Sequence, residues 1–498
     1  MPFAQLVDRN LAPNTAQEGI NKTLEQEIGG GRGDGVSADN GSLFIIKRDP
    51  FRAIRRGRQL FQRKFTRLQG QGPVTDDDSG DINTVLAIGA GLCDSCAGCH
   101  GRPRGSGGAG GDVATRPDSR DAPHLFGLGL KEMLADEITS DLRAIRATTL
   151  SQAIRTGQTV RHALISKGID YGFISATASG TVITTEIQGV DPDLRVRPFF
   201  AHGGTISIRE FVAGALHAEL GINVDDPELA VAHAGARIVT PAGMVLDGSQ
   251  DLVEAPPDTP EMGPGPSQAL LDYFEFYLLN YFKPGVYQQT PITQLGRKTF
   301  QEIGCVRCHK ADLVIQHDRR VADVETVYNP ERGIFNNLFA TATPLFQSIS
   351  DGNPVSLKLP VGGQFVVKDI FTDLKRHDLG PNFYERNYDG SIRTQFMTFP
   401  LWGVATTAPY GHDGRSVNLT EVILRHGGEA QAERDEFAAL PAARRIAVLE
   451  FLRSLVLFPP DDTASNLDPG NRSSQGFPQF GHGSIKLTVL FNDPADKE

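Results

Sequence analysis

Four of the five cysteines in these 498 residues form two copies of one short pattern, Cys96-Ala-Gly-Cys99-His100 and Cys305-Val-Arg-Cys308-His309. Two thiols three residues apart can form thioethers to both vinyl groups of one haem. The histidine that follows then lies where it can bind the iron axially. The competing uses of paired thiols are zinc ligation and dithiol exchange. Zinc would ask for further Cys or closely spaced His, and beyond Cys93 beside the first motif none lie nearby. The spacing therefore predicts two covalently bound haem c groups, one on Cys96, Cys99 and His100 and one on Cys305, Cys308 and His309. Cys93 has no correctly placed His and is read as a packed thiol that carries no haem.

The rest of the chain has to position these motifs. Its length implies two or three domains, and 39% hydrophobic with 22% charged residues is an ordinary globular composition. A net charge of −11 argues against a nucleic-acid surface and allows a basic redox partner. No run of eighteen apolar residues exists, so no membrane span is expected. The opening MPFAQLVDRN lacks the charged and apolar regions of a leader peptide. Haem is attached to c-type cytochromes outside the cytoplasm. The expectation is a periplasmic protein whose first residue stands where a removed leader ended.

Residues 1–43 read as an irregular arm ending in GGGRGDGVSADNGS. Helical spacing is expected over 50–68, 124–157, 207–220 and 267–282, and alternating Thr, Val and Ile predict a small hairpin over 171–198. The Pro-, Asp- and Gly-rich stretch 222–266 reads as a linker, and the run after the first Cys cluster as a long loop. The two halves echo each other. GRQLF (57–61) resembles GRKTF (296–300), and HLFGLG (124–129) resembles PLWGVA (400–405). AHGGTISIREFVAGALH (201–217) resembles GHDGRSVNLTEVILRHG (411–427), with one residue inserted in the second. Three echoes in the same order predict a duplicated domain: an arm over 1–43, domains over 44–266 and 267–460, and an extension over 461–498.

FTDLKRHDLG (371–380), TFPLWGVATTAPYGHDGRSVNLTEVILRHGGEA (398–430) and FAALPAARRIAVLEFLRSL (437–455) resemble the diheme cytochrome c peroxidase superfamily. Within it the diheme oxidoreductase and rubber-oxygenase branch is more similar, through PLWG, HGGEA and the RGRQLFQRKFT opening. The resemblance covers roughly 50–130 and 195–460. It implies a mainly α fold of two cytochrome-c-like helical domains facing each other, with long loops and a small β-hairpin insertion.

The resemblance also implies roles for particular residues. The family's sixth haem ligand falls fourteen residues after the His of H-D-G, which here leads from His412 to His426. That makes the second haem a bis-histidine electron-transfer centre. In the internal repeat Leu419 to His426 corresponds to Ile208 to Ala215, so the residue over the first iron is Ala215, which cannot ligate. Classical peroxidases carry a capping His in a loop; the matching region near Val113 has none. Ala215, Leu216 and Phe211 are expected to form an open distal pocket. The family's Glu and Gln positions hold Gly221 and Phe211 instead, leaving Glu219 and His217 as candidates for proton transfer to bound peroxide. Phe200 and Trp402 are candidates for an aromatic between the haems. Asp121, Thr407 and Pro409 match positions that hold calcium in peroxidases, and His412 and Asp413 read as structural hydrogen-bonders.

Three activities follow as expectations. The first is activation of hydrogen peroxide at the first haem, with electrons passed through the second from a small redox donor protein or an organic reductant. The second is an oxygenase that uses dioxygen on an apolar substrate. The third is a non-catalytic electron-transfer cytochrome, which would need six ligands on both irons.

Overall fold

The computed structural model describes residues 24–29, 31–72, 93–100, 121–255 and 264–456, apart from 281–284, 287–288, 324–325, 330–332, 337–342 and 388. Its helices are α1 (Leu24–Ile28), α2 (Ser42–Arg48), α3 (Pro50–Gln62), α4 (Cys96–His100), α5 (Leu128–Thr156), α6 (Ile208–Ala215), α7 (Pro227–His233), α8 (Pro264–Asn280), α9 (Pro291–Glu302), α10 (Leu419–Arg425), α11 (Gln431–Ala439) and α12 (Ala442–Arg453). The fold is mainly α, and its strands are short.

Each of the three sequence echoes has the same local structure in both halves. In the first, Pro50 opens α3 and the Asp49 side chain accepts from the Arg52 amide. Helix α3 lies on α8, and α9 on α12. The shared glycine sits at each crossing. A Cβ on Gly57 would overlap the Tyr273 carbonyl, and one on Gly296 the Ala447 carbonyl. The shared phenylalanine follows it into the core, with Phe61 5.7 Å from Tyr277 and Phe300 5.5 Å from Phe451, centroid to centroid. Glycine lets the two backbones approach; the aromatic pair fills the space beside them.

In the second echo, Gly127 and Gly403 both take left-handed φ, 75° and 68°. In the third, a single β-bridge closes the loop before each helix, Phe199 with Thr205 and Tyr410 with Ser416. Ser207 and Asn418 then cap α6 and α10 by accepting from the amides of Glu210 and Glu421. Gly57→Ala and Gly296→Ala should each cost about 1–3 kcal/mol through overpacking. Urea unfolding would check this; an unchanged midpoint in either variant would mean that the crossing has room to spare.

Two buried clusters hold the chain together. The larger draws on α1, α2, α3, α5, α6 and α8, and includes Leu60, Leu134, Ile208, Phe274 and Leu278. The smaller gathers Phe300, Phe371, Leu419, Phe437, Phe451 and Leu452. Helix α8, expected to lead into the second half, packs in the larger cluster.

The structure departs from the expected elements in four places. Part of the arm is ordered: Leu24 and Ile28 are buried, and Arg32 and Ser42 both reach the buried Asp272 carboxylate, at 3.0 and 2.6 Å. The hairpin starts earlier than read, with β1 (Val160–Ser166) and β2 (Ile169–Ala176) joined through Lys167 and Gly168, both at positive φ, while β3 (Val182–Ile183) adds a third strand. The stretch read as a linker is built into the core up to 255. It carries α7 and the pair β4 (Arg237–Val239) and β5 (Val245–Asp247), and it buries Ile222, Leu229, Met244 and Leu246. Its apolar residues are too widely spaced to give a period. Between Leu313 and Met397 the chain forms several two-stranded sheets, such as Phe346–Ile349 with Leu357–Pro360. Strands of two to four residues leave no readable alternation.

Candidate cofactor site

Both C-x-x-C-H motifs open onto one cavity of about 630 Å³, within the usual range of roughly 300–1,000 Å³ for small-molecule and cofactor sites. The first motif is the single turn α4. The second is a tight turn that leaves α9 at Gly304, whose φ of 89° reverses the chain. All four motif cysteines, His100, His309 and His426 line the cavity.

The three imidazoles are held alike. His100 Nδ1 donates to the Pro123 carbonyl at 2.6 Å, His309 Nδ1 to that of Phe371 at 2.9 Å, and His426 Nδ1 to that of Val422 at 2.7 Å. A carbonyl only accepts, so each ring carries its proton on Nδ1 and keeps the Nε2 lone pair. Burial lowers all three pKa values. For His426, burial first, then the nearby His309 and Arg425, bring it to about 4. A neutral imidazole oriented by a second hydrogen bond is what iron ligation requires. The Phe371 carbonyl comes from a residue at φ 53°, an uncommon conformation that a side chain adopts only under local constraint.

The thiols fit the same group. Burial pushes Cys96 and Cys305 up to about 12, so both are neutral in an apolar wall. Cys93 lies beside the first pair, its Sγ 3.6 Å from that of Cys99. The contact between the two thiols lowers the pKa of Cys93 and raises that of Cys99. Cys93 also lines the cavity. Paired thiols, metal-ready imidazoles and one apolar space together fit haem.

The other expected residues can now be placed. Phe211, Ala215, Leu216 and Glu219 line the cavity. Helix α6 ends at Ala215, and Leu216–Leu220 continue as a π-turn, a wider turn often found at functional sites. That turn keeps Glu219 on the cavity wall and leaves His217 exposed, with its Nδ1 2.6 Å from Asn223 Oδ1. His217 is thus not brought to the cavity. Phe200, at φ 59°, and the buried Trp402 both line it. Asp121, Thr407 and Pro409 lie along one wall, where burial and the neighbouring Asp413 raise Asp121 to about 7. The loop around Val113 lies outside the described residues, as does the 461–498 extension.

The H-D-G segment braces the second site. His412 stacks on Phe396 at 3.9 Å, and Asp413 takes Arg425 at 2.7 Å. Arg425 immediately precedes His426, so this ion pair fixes the end of α10 from which His426 projects.

Three further residues stand on the cavity wall. His377 is clamped between Asp373, at 2.9 Å, and Glu429, at 2.7 Å. Against the cost of burial, hydrogen bonds to Asp373, Cys308 and Glu429 raise it to about 11, so it stays cationic. Its place inside RHDLG and that of Glu429 inside HGGEA were the available signals. His124 binds the Trp402 carbonyl through Nε2 at 2.7 Å and so ties the two PLWG-like segments together. Lys131 is buried on the cavity wall. Its signal was one lysine inside the apolar run LFGLGLKEML.

Residues 333–455 match the family described as "Di-haem oxidoreductase, putative peroxidase". No curated protein matches the chain. Among solved structures, a MauG-like protein associated with microbial copper homeostasis aligns over 85% of this chain and 93% of its own, at 15% identity and a TM-score of 0.32. That likeness is too loose to carry an inference about fold or function.

Proposed function

We propose that this chain, whose residues 333–455 match the di-haem oxidoreductase family, is a c-type diheme oxidoreductase that activates hydrogen peroxide on its His100 side. The observation that carries the reading is the shared cavity, onto which both C-x-x-C-H motifs and a third Nδ1-protonated imidazole, His426, open. When bound, the two haems supply the irons at which peroxide is reduced and through which electrons pass.

The chain's own residues divide that work. Cys96 with Cys99, and Cys305 with Cys308, hold the two groups covalently. His309 and His426, each with its Nε2 lone pair free, would hold the second group. On the first, the internal repeat puts Ala215, which cannot ligate, where His426 stands on the second, with Leu216 beside it on the cavity wall. Phe211 and Phe200 keep that wall apolar and exclude bulk water. The Glu219 carboxylate is the candidate to take a proton from one peroxide oxygen and return it to the other. Phe200 and Trp402 lie along the shared cavity as aromatic spacers. Asp121, together with oxygens of Thr407 and Pro409, offers a hard-ligand corner for calcium, with the Asp413 charge close by. Thioether attachment assigns the chain to the periplasm, with a small redox protein or an organic reductant as donor.

An oxygenase reading shares this apolar wall, and stable dioxygen binding in the isolated protein would favour it. A pure electron carrier would need a sixth ligand on the His100 side, where the repeat puts Ala215. The experiment has two steps. A pyridine haemochrome assay with intact mass should count two covalent haems, falling to one in Cys96→Ala/Cys99→Ala; an apo mass would overturn the reading. The fully oxidised protein should then react with peroxide without prior reduction. If it stays inert until one electron is added, a side chain closes the His100 side at rest and the open-site assignment fails.

A further inference from the structure

Lys131 sits in the first turn of α5, is only 7% exposed and lines the cavity. Its ammonium has no hydrogen bond or ion pair among the described residues. Its neighbours are two ring faces, Phe399 at 4.9 Å and Phe199 at 5.8 Å from the centroids. Other buried cations are matched by carboxylates: Arg209 by Asp226, Asp272 and Glu275, Arg320 by Asp318, and Arg195 by Asp136. A buried charge without a counter-ion is costly, and aromatic faces compensate only part of that cost. An unmatched ammonium that opens on a cavity is the mark of a site whose anion arrives with the ligand.

The position narrows the anion. His124 feels the charges of both Lys131 and His100, so Lys131 belongs to the His100 side. The acidic group stands by the thiols: the Glu219 carbonyl accepts from the Cys93 amide at 3.2 Å, and its charge is felt at Cys99. A haem fastened through its vinyl groups to Cys96 and Cys99 turns its two propionates, the only anionic groups it carries, to the opposite edge. We propose that Lys131 is the propionate anchor of the His100 haem, the charge that orients that group in the cavity and raises its reduction potential. This rests on the diheme reading above. Burial alone brings Lys131 down to about 8, so an anion beside it would be needed to keep it fully charged in mildly alkaline solution.

The test uses the loaded protein, after the wild-type haem count has shown two; a count of zero would overturn the diheme reading and this assignment with it, whereas two haems with no effect at Lys131 would overturn this assignment alone. Redox titration followed by absorbance would compare wild type, Lys131→Met and Lys131→Arg. Loss of a nearby positive charge stabilises the oxidised iron. In Lys131→Met one midpoint should therefore fall while the other holds, and Lys131→Arg should stay near wild type. Both midpoints unchanged in Lys131→Met would overturn the proposal. If Lys131→Met does not load haem, Lys131→Gln and the resonance Raman propionate bending band of Lys131→Arg keep it testable, since a band identical to wild type with the longer, forked donor would count against contact. A third arm adds benzoate. If benzoate perturbs the wild-type spectrum but not that of Lys131→Met, with equal potentials, Lys131 binds a free carboxylate and the propionate assignment is wrong.

Discussion

Replacing Glu219 with Gln is expected to slow the reaction of the oxidised protein with peroxide by roughly a hundred- to ten-thousand-fold, the usual worth of a positioned acid–base group. The substitution keeps size and polarity and removes the titratable carboxylate. The effect should appear in the second-order rate constant while haem content stays as in wild type, and any midpoint shift should be upward, since a negative charge is lost. Glu219 is held for this role by the backbone: its carbonyl accepts from the Cys93 amide at 3.2 Å, and the π-turn Leu216–Leu220 fixes its place on the wall. Stopped-flow absorbance would measure the rate. His217→Ala serves as the internal control, because His217 faces solvent and should leave the rate unchanged. A Glu219→Gln protein as fast as wild type would remove Glu219 from the chemistry.

His426→Ala should convert one low-spin electron paramagnetic resonance signal completely to high-spin. His426 stands at the end of α10, its ring proton spent on the Val422 carbonyl and its Nε2 in the cavity with His309. Removing the ring leaves His309 alone on that iron. The midpoint of that haem should move as well, since two imidazoles set a lower potential than weaker ligand pairs. Asp413→Asn gives the graded version. It loosens Arg425, the residue before His426, without touching the imidazole, and should yield a mixture of the two spin states. An unchanged spectrum in His426→Ala would show that the offset from His412 had pointed to the wrong residue.

The chemistry of this chain was written in its sequence more plainly than its architecture. C-x-x-C-H needs nothing beyond local spacing, and the three echoes were readable because their glycines, aromatics and caps do the same mechanical work twice. What spacing could not convey was anything decided across the fold. Glu219 and His217 lie two apart on what read as one continuous helix, and only the π-turn after Ala215 separates wall from surface. Lys131 is one charge in an apolar run, and its meaning depends on Phe199 and Phe399, far away in the chain. The stretch 222–255 looked like a linker because its composition is polar on average. Its burial comes from single apolar residues, such as Leu229 and Leu246, inserted into a core built by other segments.

The two motifs share one room, and that has a consequence for how the protein would be handled experimentally. Labels placed on one centre are not private to it: Trp402 and Phe399 belong to the same enclosure as Lys131 and His100. Filling that enclosure with a single group would leave half its walls unsupported. A chain loaded on one motif only would then be a loosened protein as well as a half-active one. Spectra of such a species would describe a different protein, not one centre with the other subtracted.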